Sequence, residues 1–162
     1  MSSNVSVRSL VGYLIKQSQH AFRACMDQQL RRLDLTTSQY ALMTAIDDTP
    51  GSSGAELARL CFITPQSVSG LVNSLLEQKL IERTSSKTHG RVIEVRLSTL
   101  GRERLRKAEV RVRALEEIML IGMTTEQRSS LSSMLRLCVE NLSKMDGQSK
   151  LPADVRTKTL QM

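Results

Sequence analysis

Apolar residues recur along this chain with a helical period, interrupted once, just past the middle, by strict alternation. Val7, Leu10, Val11, Leu14, Ile15, Ser18, Ala21, Phe22, Cys25, Met26, Leu30 and Leu33 hold helical spacing, which predicts one long helix from about Val5 to Leu33. At 1.5 Å per residue it would run roughly 40 Å, more than a small domain absorbs by itself. Thr36 starts the next helix, and Gln39 three residues on completes a capping box, in which each end's side chain takes up the other's backbone N–H. Tyr40, Leu42, Met43, Ala45 and Ile46 form its buried side, and Pro50-Gly51-Ser52 makes a turn.

Residues 53 to 97 organise the rest. Ser53 and Glu56 form a second capping box and open a short helix with Leu57, Ala58 and Leu60 as its apolar residues. A turn follows at about Cys61 to Ile63. Thr64 is then an N-cap and Pro65 takes the first helical position, where a missing N–H costs nothing. Val68, Leu71, Val72, Leu75 and Leu76 make one apolar stripe, and the opposite face carries Gln66, Ser69, Gly70 and Asn73, all short and uncharged. Two helices joined by so short a turn match the helix-turn-helix, whose second helix enters the DNA major groove. Leu80 to Thr84 and Val92 to Leu97 read as strands. In the second, Ile93, Val95 and Leu97 alternate with Glu94 and Arg96. The tip between them, Ser85 to Gly90, has Lys87, His89 and Arg91 on or beside it, which makes a basic wing.

After the wing the helical period returns. Ser98 caps a helix that reaches about Ile121, and Leu105, Ala108, Val112, Leu115 and Met119 form an a/d seam over two heptads. Thr124 and Gln127 make a third capping box, and the last helix carries Leu131, Met134, Leu135, Cys138, Leu142 and Met145 until Asp146-Gly147 ends it. The fold class is therefore mainly α with a small β-hairpin wing: a winged helix-turn-helix with long N- and C-terminal dimerisation helices. The chain divides into an N-terminal dimerisation helix (1–34), a DNA-binding region (35–98, wing about 80–97), C-terminal dimerisation helices (99–146) and a loose tail (147–162). The long helices carry more apolar stripe than one small core can cover, and a homodimer is its simplest use.

Charge sharpens this picture. The net charge is +7, and residues 59 to 113 hold twelve Lys and Arg against five Asp and Glu, so this window accounts for all of it. Basic excess over the wing and its flanks is an electrostatic footprint for double-stranded DNA. Tyr13, Phe22, Tyr40 and Phe62 are the only aromatic residues, too few for single-strand binding by base stacking. Cys25, Cys61 and Cys138 are widely spaced and odd in number, with no zinc pattern. A reducing cytoplasm is the expected compartment, with no signal peptide, no membrane span, no metal and no cofactor. His20 and His89 stand far apart, and no metalloprotease, nucleophile-elbow or phosphate-loop motif is present, so no enzyme is expected.

At this point the sequence resembles the MarR family of bacterial transcriptional regulators. Leu35-Thr36 with Gln39-Tyr40, Ala55-Glu56-Leu57-Ala58, Thr64-Pro65-Gln66-Ser67-Val68, Leu80-Ile81-Glu82-Arg83, His89-Gly90-Arg91 and Leu97-Ser98 with Gly101 carry the resemblance, in order, over about residues 7 to 145. It implies an obligate, triangular homodimer that binds palindromic promoter DNA, usually represses, and is often released by a small phenolic or aromatic ligand or by cysteine oxidation. Arg91 matches the arginine expected to enter the minor groove. His89 stands near the place where the family commonly carries an aspartate that braces the wing.

The expected DNA-binding residues are Ser53, Thr64, Pro65, Gln66, Ser67, Ser69, Asn73, Arg83, Lys87, His89 and Arg91. The helix from Thr64 to Leu76 has no Lys or Arg, and Gln and Asn suit adenine, so its contacts should favour A·T pairs. Affinity should come from phosphate contacts outside it, including Arg83, Arg96, Arg59 and the helix N-termini. Leu14, His20, Tyr40, Met43 and Ile46 are the candidate effector-binding residues, with plain core as their alternative; Tyr40 and His20 supply polar handles. For a redox switch, Cys25 and Cys138 lie on apolar stripes, as core thiols do, and Cys61 at the turn is the more exposed. A winged helix that binds protein, or a sequence-independent architectural DNA binder, are the rival functions.

Overall fold

The structure is a computed structural model, and it describes residues 6–85 and 93–145. Its elements run α1 (Val11–Arg31), α2 (Thr37–Asp48), α3 (Gly54–Leu60), α4 (Pro65–Glu77), β1 (Ile81–Ser85), β2 (Ile93–Leu97), α5 (Thr99–Met119) and α6 (Thr125–Ser143), with a 3-10 turn at Val7–Ser9 before α1. They form two compact units. One is Ile15–Met119; the other comprises Met1–Leu14 with Leu120–Met162.

The capping signals hold atom by atom. Thr36, Ser53 and Thr124 each accept the N–H of the residue three on, and Gln39, Glu56 and Gln127 each accept the cap residue's own N–H. Pro65 occupies the first turn of α4 behind the Thr64 cap. Ser98 starts α5: its Oγ accepts the Gly101 N–H at 2.9 Å and donates to the Lys79 carbonyl at 2.7 Å.

The first helix is shorter than its apolar pattern. Ser6 accepts the Arg8 N–H and caps a 3-10 turn instead, and Leu10 is extended, so α-helix begins at Val11. Its far end is fixed by Asp34, whose φ of 52° is left-handed. The Leu35 N–H reaches back to the Leu30 carbonyl and the Asp34 N–H to that of Arg31, a Schellman closure that leaves Leu33 outside the helix. The same closure ends α3 at Phe62 (φ 55°) and α4 at Lys79 (φ 57°). None of the three is glycine, so sequence marks them weakly. Residues 86–92 at the hairpin tip and the two ends of the chain, with the expected stop at Asp146-Gly147 and the tail, lie outside the described residues.

The core of the Ile15–Met119 unit gathers Met26 and Leu30 of α1, Leu42, Met43, Ala45 and Ile46 of α2, Leu57 and Ala58 of α3, Val68 and Leu75 of α4, Leu80, Ile81 and Leu97 of the hairpin, and Leu105 and Ala108 of α5. The strands pair antiparallel with Ile81 opposite Leu97, Glu82 opposite Arg96 and Arg83 opposite Val95. Period two thus turns Ile81 and Leu97 inward, while Glu82 and Arg96 form an ion pair at 2.8 Å on the other face. The α5 seam is buried at Leu105 and Ala108, half-buried at Val112 and Leu115, and open at Met119. Arg111 of α5 donates to Gln29 of α1 at 3.1 Å. In the other unit α6 has no buried residue, and Met134, Leu137, Val139 and Leu142 are exposed.

Candidate nucleic-acid interface

The helix pair α3–α4 is built as the spacing requires. Leu57 and Ala58 bury the first helix and Val68 and Leu75 the second, so the remaining faces turn outward. On α4, Gln66, Ser67, Ser69, Gly70 and Asn73 are all exposed. Thr64 Oγ1 accepts the Ser67 N–H at 3.1 Å and lies 2.8 Å from the Ser67 hydroxyl, while Ser69 Oγ donates to the Pro65 carbonyl at 3.2 Å. Those hydroxyls are thus engaged in the helix's own first turns. The side chains of Gln66, Asn73 and Arg83 have no hydrogen bond or ion pair among the described residues and are free to meet a ligand.

A groove of about 330 Å³ runs between the start of α3, the middle of α4 and the base of the hairpin. Leu57, Val68, Val72 and Val95 supply its apolar lining and Ser52, Ser53, Ser69, Asn73 and Arg83 its polar lining. The structure therefore brings Ser53, Ser69, Asn73 and Arg83 together. It sets Thr64, Pro65, Gln66 and Ser67 on the exposed N-terminal turn of α4 next to them. Lys87, His89 and Arg91 lie outside the described residues. Arg96, expected among the phosphate contacts, instead donates to Glu82 across the strands at 2.8 Å.

Sequence reasoning missed the groove itself. Val72 and Val95 are remote in sequence, and only strand register places Val95 beside Arg83. A Cβ at Gly54 or Gly70 meets nothing within 4 Å, as at Gly12, so no packing inside the chain explains these glycines.

The profile of the MarR family matches residues 33–92. The HTH-type transcriptional repressor Rv2887 of Mycobacterium tuberculosis is 30% identical over 125 residues, 77% of this chain and 90% of the relative. The chain belongs to the MarR family of winged-helix transcriptional regulators. Two solved structures of that mycobacterial MarR family protein also superpose. Its complex with salicylic acid has a TM-score of 0.68 at 28% identity, over 80% of this chain and 96% of that one. Its complex with DNA has a TM-score of 0.68 at 26% identity, over 80% and 98%.

Within this MarR family member the candidate effector residues fall into different surroundings. Met43 and Ile46 are core side chains, 0% and 4% exposed. Tyr40 is half-buried against that core, and burial pushes its phenol above the ordinary value. His20 and Leu14 are exposed on α1, and Leu14 belongs to the other unit. The cysteine reading is corrected. Among the described residues Cys25 is the exposed thiol, although its neighbour Met26 is buried; Cys61 and Cys138 are half-buried. Burial raises the Cys61 thiol, which leaves it less thiolate at neutral pH. No helix among the described residues is long and apolar enough to cross a membrane, and no metal-ligand cluster is present among them.

Proposed function

We propose that this regulator is a homodimeric repressor that inserts α4 into the major groove of a palindromic promoter site and is released by a small aromatic ligand. The observation that carries the DNA-reading part is the convergence of Ser53, Ser69, Asn73 and Arg83 on one groove beside the exposed turn Thr64–Ser67. Gln66 and Asn73 read base edges with an A·T preference, and Arg83, the Ser53 and Thr64 helix starts and the wing residues Lys87, His89 and Arg91 hold phosphates or the minor groove. Residues 35–98 form the DNA-binding region, the helices of 1–34 and 99–146 join the two subunits, and 147–162 is a tail.

Exposed apolar side chains support the dimer. Val7, Leu10, Val11 and Leu14 at one end of the chain, and Ile118, Met134, Leu137, Val139 and Leu142 at the other, are each at least 48% exposed in the single chain. The effector in this reading is an aromatic acid or phenol, the chemical class of the salicylic acid bound in the mycobacterial relative's structure. Tyr40 and His20 supply the polar handles in this reading, and Met43 and Ile46 the apolar wall behind Tyr40. Such a ligand acts only by binding one DNA-binding conformation better than another. The protein works in the cytoplasm, on double-stranded DNA.

The test is a binding titration on a labelled fragment of its own promoter region, with random DNA as competitor, at two salt concentrations, with and without salicylate. Binding that survives competitor, weakens with salt and is relieved by salicylate is the expected result. Equal loss to random competitor makes the protein architectural, and no binding at low salt makes it a protein-interaction module. Tight operator binding indifferent to salicylate removes the aromatic-acid effector alone.

A further inference from the structure

Gln39 is the buried polar side chain of the core, 6% exposed, and it bridges two helices. Its Oε1 accepts the Thr36 N–H at 2.9 Å and the Thr36 hydroxyl at 3.2 Å, which closes the α2 cap. Its Nε2 donates across to Ser74 Oγ of α4 at 3.1 Å, a partner 35 positions away. Ser74 Oγ also accepts from Gln78 at 3.2 Å. The near end of the bridge is anchored in turn, because the Thr37 hydroxyl donates to Asp27 of α1.

A cap needs only the Oε1 end of this side chain. The Nε2 end has a different consequence. Apolar packing through Val68 and Leu75 is non-directional and tolerates a small roll of α4, whereas a hydrogen bond falls off steeply with angle. Successive helical residues lie 100° apart, so holding Ser74 against α2 fixes the direction in which Gln66, Ser69 and Asn73 face out. We infer that Gln39 is a positioning residue that, through Ser74, sets the rotation of the recognition helix and with it the discrimination between operator and other DNA. This rests on the DNA-binding reading above.

Gln39→Met, Ser74→Ala and the double variant, all in the full chain, test it. Affinities for the footprinted operator and for a random duplex of equal length are measured at one salt concentration, at a temperature where each variant is fully folded by its melting curve. Each single variant should lose about tenfold in operator affinity, about 1.4 kcal/mol, with random-duplex affinity unchanged. The double variant should lose no more operator affinity than the larger single loss, because both changes remove the same Gln39–Ser74 bond. A merely structural role lowers the melting temperature without moving the operator-to-random ratio, and that result overturns the inference, as do additive losses. If Gln39→Met does not fold, Ser74→Ala, at a half-buried site, decides alone. A parent protein without operator preference overturns the DNA-binding reading and this inference together; a selective parent with equally selective variants overturns only this one.

Discussion

Gly101→Ala should disable the junction between the wing and α5. An ideal Cβ on Gly101 would lie 1.9 Å from the Leu80 carbonyl oxygen and 2.9 Å from its carbon. The obstacle is backbone, so no rotamer change relieves it. Leu80 is 0% exposed, and its carbonyl already accepts the Ser98 N–H at 3.0 Å and the Ser98 hydroxyl at 3.2 Å. Retreat therefore breaks the bonds that join β1 to the start of α5. Overpacking of this kind costs about 1–3 kcal/mol, and a clash this short against fixed backbone belongs at the upper end. The helix propensity of alanine returns at most about 1 kcal/mol. A net loss of about 2 kcal/mol lowers the melting temperature of a chain this size by roughly 4–8 °C. Circular-dichroism melts of parent and variant at equal protein concentration read it, since the stability of the proposed dimer would depend on concentration. Gly70→Ala is the internal control: with nothing near its Cβ, it should be about 0.5–1 kcal/mol more stable on propensity alone and melt correspondingly higher. If Gly101→Ala melts with the parent, the close approach of α5 to Leu80 is not the constraint argued here.

Lys79→Gly should stabilise the fold by about 1 kcal/mol, since it removes a left-handed lysine and keeps the backbone bonds that end α4, and a melt that does not rise refutes it. The Ser53 N–H, and then the Ser53 side chain, hold the Glu56 carboxyl below the ordinary range. A depressed folded value gives a contribution that is present above the unfolded pKa, about 4.3, and is lost as pH falls through the folded one. The melting advantage of the parent over Glu56→Gln should therefore be constant near neutrality and vanish in acid; a gap that widens on acidification has the wrong sign. Arg83→Ala should weaken operator and random DNA about equally and reduce the salt slope by about 1, whereas Asn73→Ala should cost about 1–3 kcal/mol on the operator alone. Competition titrations separate the two.

Much of this architecture is legible locally, because its start signals are local. A Thr or Ser with Gln or Glu three residues on fixes three helix starts through bonds inside four residues. Helix ends are harder: Asp34, Phe62 and Lys79 adopt the left-handed conformation that sequence reading assigns to glycine, stabilised by closures onto Leu30, Ala58 and Leu75. The polar face of α4 follows from its apolar stripe, but the meeting of Asn73 with Arg83 does not, since it depends on strand register and on how the hairpin packs. Gln39 shows the same limit. Its cap is visible at Thr36, whereas its bond to Ser74 is a tertiary fact.

The distribution of charge leads to one more consequence. The exposed face of α4 proposed to read DNA carries no Lys or Arg, while Arg83 stands exposed beside it and Arg59 is exposed on α3. Salt dependence arises from counterions released by phosphate contacts, which operator and random DNA both offer. Base contacts of the kind proposed for Gln66 and Asn73 release none. Operator and random affinities should therefore fall with nearly the same slope as salt rises, and their ratio should stay nearly constant. A protein that read guanine through arginines on the same helix would mix the two functions in one residue set. Titrations of both duplexes from low to moderate salt decide the matter: parallel lines on a log–log plot support the separation of reading from holding. An operator slope steeper by two or more places cations among the sequence-reading contacts and refutes it.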